Sequence, residues 1–168
     1  MYQEQLIRAI TVVAIALSIA ACEQRQEPAA PSGTVAACSF TLSTGWHGLE
    51  RSGSDWWRWT DGRGQVRVVV GKDTSTRLKG EILSASHPNK MDILVNGEKA
   101  TSLDIAWPEW AFKPFEPLSF HLKAGENLIE FVSHNPPIHT PTDSRPLAIA
   151  VKNLGLTTDG GTICKLQS

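Results

Sequence analysis

The chain has 168 residues and an almost balanced charge, with 17 acidic and 16 basic side chains and a formal net charge of −1 at pH 7. The basic residues are scattered, which excludes the concentrated positive charge of a nucleic-acid-binding protein. Ten prolines and thirteen glycines interrupt the chain, and beyond residue 21 no helical period persists for more than about a turn. The composition therefore predicts an all-β protein with no nucleic-acid partner.

Residues 1–21 have the pattern of an export signal. Arg8 precedes an apolar run, Ala9 to Ala21, that is too short to span a hydrocarbon core of about 30 Å comfortably. The run leads into Ile19-Ala20-Ala21-Cys22, which resembles the bacterial lipobox. This resemblance implies that 1–21 is a lipoprotein signal peptide, removed by cleavage before a lipidated Cys22. The alternative is an ordinary signal peptide in which the cysteine is incidental.

Residues 22–36 are polar and rich in proline and alanine, which predicts a disordered tether between lipidated Cys22 and a folded domain. Glu23 follows the lipobox cysteine, where the lipoprotein pattern has aspartate in proteins retained at the inner membrane. We therefore expect a protein on the periplasmic side of the bacterial cell envelope. The lipid anchor would bind it to a membrane, the outer membrane in preference to the inner one.

Two further cysteines, Cys38 and Cys164, lie near the two ends of the remaining sequence. Export places them in an oxidising compartment, where an even pair of cysteines usually bonds. The sequence therefore predicts a disulfide and, with it, first and last strands that are neighbours. The alternative is two buried free thiols.

Residues 37–168 show short alternating segments separated by turn residues, the pattern of a β-sandwich. Val66, Val68 and Val70 are expected on one face, as are Leu147, Ile149 and Val151, and Asn96-Gly97 is a strong hairpin signal. The predicted strands are 39–42, 65–70, 77–84, 91–95, 98–103, 118–122, 128–132, 147–154 and 162–166. This spacing predicts an all-β, two-sheet, jelly-roll-like sandwich.

The segment Asp55-Trp56-Trp57-Arg58-Trp59 concentrates three tryptophans. In an extended chain, Trp57 and Trp59 share one face, and Trp56 and Arg58 share the other. We expect Trp57 and Trp59 to point into the core of the sandwich.

Several motifs resemble a β-sandwich domain found at the ends of bacterial glycosyltransferases and other surface-polysaccharide membrane proteins. They are Gly45-Trp46 with Glu50, the run 57–62 (WRWTDG), and 143–151 (DSRPLAIAV). The resemblance implies a jelly-roll module without chemistry of its own. It also brings Glu50, Arg58, Asp143 and Arg145 together as one charged cluster. Such a cluster either pins a loop to the sheet edge or binds a ligand, and the two roles can coexist.

A second aromatic group occupies 106–112 (AWPEWAF), next to Pro114, and is therefore predicted to be a loop. Its tryptophans either cover an open end of the sandwich or line a groove with Trp46 or Trp56, where sugar rings would stack. Arg58, Asp55 or Glu109 would then bond sugar hydroxyls. The predicted ligand-binding residues are Trp46, Glu50, Trp56, Arg58, Trp107, Trp110, Asp143 and Arg145.

The sequence shows no catalytic motif, and the spacing of its five histidines is not that of a zinc site. We therefore expect no enzyme activity, no catalytic residue, no cofactor and no metal. The leading hypothesis is a lipid-anchored, non-catalytic glycan-recognition module linked to surface-polysaccharide assembly, with a polysaccharide or oligosaccharide as partner. The alternative is an adaptor that docks on a membrane-embedded protein complex of the envelope. A third hypothesis, a small hydrolase, requires two carboxyl groups facing each other across a cleft.

Overall fold

The computed structural model of the chain describes residues 38–107 and 110–167, with side chains up to Cys164. The predicted signal peptide (1–21) and the predicted tether with lipidated Cys22 (22–36) lie outside the described residues and stay predictions. Within the described part of the chain, no helix has the length and apolar character needed to cross a membrane.

Across the described ranges the regular secondary structure consists of β-strands, as the composition predicts. The strands are β1 (Cys38–Leu42), β2 (Glu50–Ser52), β3 (Asp55–Trp59), β4 (Arg63–Val70), β5 (Thr74–Ser84), β6 (Asn89–Val95), β7 (Glu98–Ile105), β8 (Lys113–Pro114), β9 (Leu118–Leu122), β10 (Gly125–Ser133), β11 (Ile138–Thr140), β12 (Asp143–Leu147), β13 (Ile149–Thr158) and β14 (Ile163–Gln167).

The strands form two layers, which confirms the predicted all-β sandwich. The first layer has the order β14-β1-β4-β10-β6-β7, and the second has β2-β3-β13-β5, with β8 and β9 both paired to β5. The pairs are antiparallel except for β1 with β14, which is parallel. β14 also pairs with β13, so this strand belongs to both layers. The short hairpin β11–β12 is a separate two-stranded sheet.

The main hydrophobic core lies between the two layers and follows from alternation along the strands. Val66, Val68 and Val70 are all buried on one face of β4, as predicted, while Ile149 and Val151 of β13 face them from the other layer. Each aliphatic side chain removed from water in this way contributes roughly 1.5–3 kcal/mol to stability.

A disulfide joins Cys38 of β1 to Cys164 of β14, with the two Cα atoms 4.6 Å apart. The predicted bond and the predicted pairing of the first and last strands are both confirmed. The predicted hairpin is confirmed as well, because Asn96 and Gly97 join β6 to β7 with φ values of 53° and 84°.

The prediction that Trp57 and Trp59 point into the core between the layers is wrong. Trp59 lies opposite Ala150 of β13, whose side chain is on the outer face of the second layer. Ile149 and Val151, the neighbours of Ala150, are the residues that point inward. Alternation therefore turns Trp57 and Trp59 outward, as members of a second hydrophobic cluster.

Leu147 also departs from its prediction, because it does not share a face with Ile149 and Val151. It ends β12 and packs in the second hydrophobic cluster, whereas β13 begins at Ile149 and faces the main core. The strand is interrupted at Ala148. Because of this interruption, the odd-numbered residues of β12 and those of β13 point to different sides.

Candidate functional site

The outer face of the second layer carries a polar row beside an apolar one. Side chains directly opposite each other in paired strands point to the same side of a sheet. The register therefore aligns one side chain from each of β2, β3, β13 and β5: Glu50, Trp57, Lys152 and Glu81. The adjacent row is apolar and consists of Trp59, Ala150 and Leu83.

Four aromatic rings on this face form what we call the aromatic platform: Trp57, Trp59, Trp110 and Phe112. The ring centroids of Trp57 and Phe112 are 5.9 Å apart, and those of Trp59 and Trp110 are 5.8 Å apart. Trp59 is 5% exposed, whereas Trp110 is 56% exposed. Buried Trp59 thus supports a neighbouring indole that is open to solvent.

The segment between β7 and β9 brings Phe112 onto the platform. Phe115 fixes its far end, since its ring is buried in the main core and its backbone N–H donates to the carbonyl of Gly80 at 3.2 Å. The ring fits because a Cβ at Gly80 would lie only 3.2 Å from it. Trp107 fixes the near end by donating its Nε1–H to the carbonyl of Ala111 at 3.2 Å.

One end of the platform borders what we call the arginine cluster: Glu50, Asp143 and Arg145. Arg145 donates to Asp143 from Nε at 2.9 Å and from Nη2, and Nη2 also donates to Glu50 at 2.7 Å. Glu50 in turn accepts from the indole Nε1 of Trp57 at 3.0 Å. The hydrogen bond from Arg145 lowers the pKa of Asp143 to about 2, so this carboxylate stays ionised.

The hairpin β11–β12 orients this cluster. Asp143, Arg145 and Leu147 alternate along β12, and Leu147 is buried in the second hydrophobic cluster. Ile138 of β11 lies opposite Leu147 and packs against the same cluster. A hydrogen bond of 2.7 Å between His47 Nε2 and the carbonyl of residue 146 connects β12 to the segment before β2. The hairpin is therefore held by the apolar packing of Leu147 and Ile138, and the guanidinium is held by its hydrogen bonds to Glu50 and Asp143.

We expect Arg145→Gln to lower the melting temperature of the full chain by a few degrees at pH 7, because two carboxylates lose their shared cation. The pKa of Asp143 is 3.8 when unperturbed and about 2 here. A depressed carboxyl pKa stabilises the fold above 3.8, and that contribution is lost as the pH falls towards 2. The difference between the two proteins should therefore shrink on acidification. Thermal unfolding at several pH values measures it.

Arg145→Lys is the matched control for this prediction. Lysine keeps the positive charge but cannot form the bidentate pair with a carboxylate, so we expect a smaller decrease in melting temperature than for Arg145→Gln. A difference between wild type and Arg145→Gln that is independent of pH would contradict the pairing with Asp143.

The middle of the platform borders what we call the lysine cluster: Asp55, Glu81 and Lys152. Lys152 Nζ lies 2.8 Å from Asp55 and 3.3 Å from Glu81, and 5.5 Å from the centroid of the Phe112 ring. The hydrogen bond with Asp55 is the main cause of the raised pKa of Lys152, and the same bond lowers the pKa of Asp55. Asn153 donates to both carboxylates, at 3.5 and 3.2 Å.

Two carboxyl groups of these clusters, those of Asp55 and Asp143, are poorly suited to act as general acids. A general acid needs a carboxyl group whose pKa is raised, whereas the pKa values of Asp55 and Asp143 are lowered by their cations. Within the described residues, no group of three His, Cys, Asp or Glu side chains could hold a metal ion. What the site offers is a group of mutually tilted aromatic rings with carboxylate oxygen acceptors at its edge.

Neither a protein-family model nor a curated protein matches this chain. Among solved structures, it is similar to family 35 carbohydrate-binding modules. The module from an environmental isolate is 14% identical in sequence, and the match covers 71% of this chain and 96% of the module, with a TM-score of 0.46. The module from Clostridium thermocellum is 20% identical, and the match covers 68% of this chain and 86% of the module, with a TM-score of 0.41. The module from Cellvibrio japonicus Abf62 is 13% identical, and the match covers 79% of this chain and 97% of the module, with a TM-score of 0.46.

These similar structures are carbohydrate-binding β-sandwich modules, and some of them are attached to glycoside hydrolases, as in the GH26-CBM35 mannanase of Podospora anserina. The likeness concerns the fold. The resemblance to domains appended to glycosyltransferases rests on sequence motifs and stays a prediction.

Three of the four residues predicted to form one charged cluster do so: Glu50, Asp143 and Arg145. Arg58 does not join them, because it alternates with Trp57 and points to the opposite side of β3. Its Nη1 donates to the carbonyl of His47 at 2.9 Å, and its buried Nε has no hydrogen-bond partner among the described residues.

Trp46 and Trp56, predicted to bind ligand, pack against the main core and lie apart from the aromatic platform. The Trp46 ring meets Phe131 edge-on at 5.7 Å, and its Nε1 donates to the carbonyl of Gln65 at 2.8 Å. Both tryptophans are only partly exposed. The groove that they would share with the 106–112 segment stays a prediction.

The two tryptophans of the second aromatic group separate. Trp107 packs against the main core, with Lys113 Nζ 5.5 Å from its ring centroid, whereas Trp110 lies on the outer face beside Trp59. The segment thus both covers the sandwich and contributes to the platform. Glu109 lies outside the described residues.

The sequence reasoning missed Glu81, Lys152 and Phe112 as site residues. Asp55 is suggested by its position beside the tryptophans, but its partners come from β5 and β13, far away in the sequence. Each of these partners looks like an ordinary surface charge on its own strand. Only the strand register brings them into one row.

Proposed function

We propose that this protein is a non-catalytic carbohydrate-binding module that holds a saccharide on its aromatic platform. A sugar ring has an apolar face that stacks on an indole and a rim of hydroxyl groups that donate hydrogen bonds. The observation that carries the proposal is Trp110, which is more than half exposed and is supported by buried Trp59. An exposed indole that continues a cluster of further aromatic rings forms an apolar surface patch, and such patches mark interaction sites.

The charged clusters supply the polar rim of this site. Glu50, Asp55, Glu81 and Asp143 are carboxylate acceptors whose side chains are between 24% and 45% exposed, so they are within reach of a ligand. Their cations fix them in place before any ligand arrives, which reduces the entropy lost on binding.

The proposal includes the predicted place of the protein in the cell. The lipobox resemblance at Cys22 supports a lipid-anchored module on the periplasmic side of the bacterial envelope, with the outer membrane preferred. The motif resemblance supports a role in surface-polysaccharide assembly. Replacing Cys22 by alanine and following the protein between membrane and soluble fractions tests the anchor.

We expect Trp110→Ala to weaken saccharide binding about ten-fold or more, since exposed aromatic anchors dominate recognition surfaces. Stability should change by no more than about 0.5–1 kcal/mol, because the side chain is largely in solvent. The affinities of the wild type and of Trp110→Ala are measured by titrating each full chain, in mild detergent, with envelope polysaccharide fragments. Tryptophan fluorescence and calorimetry follow the titration.

Ile163→Ala is the matched control, because Ile163 is 74% exposed and lies on β14, away from the platform. Its affinity should equal that of the wild type. Absence of saturable binding with every saccharide would overturn the proposal. If the chain then captured a membrane protein of the envelope, the adaptor hypothesis would replace it.

A further inference from the structure

The charge around the aromatic platform is unbalanced towards the negative. The arginine cluster sets two carboxylates against one cation, and so does the lysine cluster. Lys79 is the next residue of β5 on the same face, and it is exposed. Even when it is included, four carboxylates outnumber three cations.

The two cations nearest to the platform are already neutralised. Arg145 lies between Glu50 and Asp143, and Lys152 lies between Asp55 and Glu81, all within 3.3 Å. An acidic sugar would have to displace one of these carboxylates or approach them as a like charge, and both cost free energy. The described side chains therefore disfavour an anionic ligand.

The same arrangement favours a cation. Carboxylates at the rim attract an ammonium group, and the face of an aromatic ring attracts it as well. The protein already shows this geometry once, because Lys152 Nζ is held by two carboxylates and lies 5.5 Å from the Phe112 centroid. On the same face, the ring of Trp110 is 56% exposed and is therefore open to a second cation that a ligand would bring.

We propose that the saccharide bound on the aromatic platform is an amino sugar with a free ammonium group, such as a de-N-acetylated hexosamine. This inference rests on the proposed function and specifies its ligand. The sugar ring stacks on Trp110, and its ammonium group takes a place beside the carboxylates of the lysine cluster. Acidic saccharides are rejected by the same carboxylates.

The test compares three probes on the full chain in mild detergent: β-1,4-linked glucosamine oligomers, their N-acetylated counterparts, and oligogalacturonates. At about pH 6, below the usual pKa of an amine, the glucosamine is largely protonated. We expect glucosamine oligomers to bind about ten-fold more tightly than the N-acetylated ones, and oligogalacturonates not to bind. The preference for glucosamine should weaken as salt is added.

Glu81→Gln tests the source of the selectivity, because it keeps the shape and removes one charge. We expect it to weaken glucosamine binding several-fold and to leave the N-acetylated oligomers unaffected. Glu98→Gln is the matched control, since Glu98 is an exposed carboxylate on β7 of the other layer. It should change neither affinity.

The outcomes separate the two proposals. Equal binding of glucosamine and N-acetylated oligomers, or tight binding of oligogalacturonates, would overturn the amino-sugar inference and leave carbohydrate binding intact. Binding that Trp110→Ala does not reduce would place the ligand elsewhere and overturn it too. A chain that binds none of these or other saccharides would remove the proposed function itself.

Discussion

Replacing Cys38 and Cys164 together by alanine is expected to lower the free energy of unfolding by about 4–5 kcal/mol. The disulfide closes a loop with a sequence separation of 126, and a cross-link over so long a loop removes much of the entropy of the unfolded chain. Both cysteines are 3% exposed, and alanine places no polar group in the core. Guanidinium denaturation of the full chain measures the loss.

Two comparisons check the cause of this loss. Each single replacement should destabilise the protein about as much as the double one, because either removes the bond. Denaturing the wild type in the presence of a strong reductant should reproduce the same shift. A double variant within about 1 kcal/mol of the wild type would show that the cross-link contributes little.

Gly45→Ala is expected to destabilise the protein by about 3 kcal/mol or more. Gly45 has a φ of +80°, and a Cβ at this position would lie 1.7 Å from the carbonyl oxygen of Arg63. The backbone of β4 would have to move to accept it. Chemical denaturation and the near-ultraviolet signal of the tryptophans follow the effect.

Gly53→Ala is the matched control, because Gly53 also has a positive φ, of +60°, but nothing lies within 4 Å of an added Cβ. It should cost only about 1 kcal/mol, the strain of the left-handed conformation alone. Equal losses in the two variants would show that the contact with Arg63 is unimportant.

The effect of Gly45→Ala should extend to the site. The amide of His47 donates to the carbonyl of Trp59 at 2.8 Å, and Trp46 forms a bridge to Thr60. These bonds hold the segment that leads to Glu50 of the arginine cluster. The Gly45-Trp46 motif therefore has a structural explanation, since it fixes the loop and does not itself touch the platform.

Many of the strands, and the residues that share a face within them, could be predicted because alternation is a local property. Val66, Val68 and Val70 are two residues apart and are all buried, and the two residues of the Asn96-Gly97 turn both have positive φ. The disulfide was predictable for another reason, since the predicted export and the predicted lipidation of Cys22 leave one pair of cysteines, which has a single way to bond.

The direction of Trp57 and Trp59 could not be read from the sequence. Alternation shows which residues share a face but not which face is inward, and here both faces of the sheet are apolar. The apolar part of the outer face is covered by the side chains of Phe112, Ile138 and Leu147, which come from segments distant in the sequence. A strand covered on both sides loses the contrast between polar and apolar positions on which the prediction depends.

The candidate site was predictable in part. The arginine cluster follows from two motifs, whereas the lysine cluster depends on the register of β3, β13 and β5, which no local pattern gives. Arg58 was misplaced for a simple physical reason: its immediate neighbour in a strand, Trp57, occupies the side on which the cluster forms.

The parallel pairing of β1 with β14 has a mechanical consequence. Both strands start at the same end, where Cys38 and Cys164 are bonded, and each is also paired to a further strand. A force that pulls on the chain ahead of Cys38 is passed through the sulfur atoms to both strands at once and acts along their length. Their hydrogen bonds are loaded in shear and must break together, so the molecule resists being peeled open from its amino-terminal end.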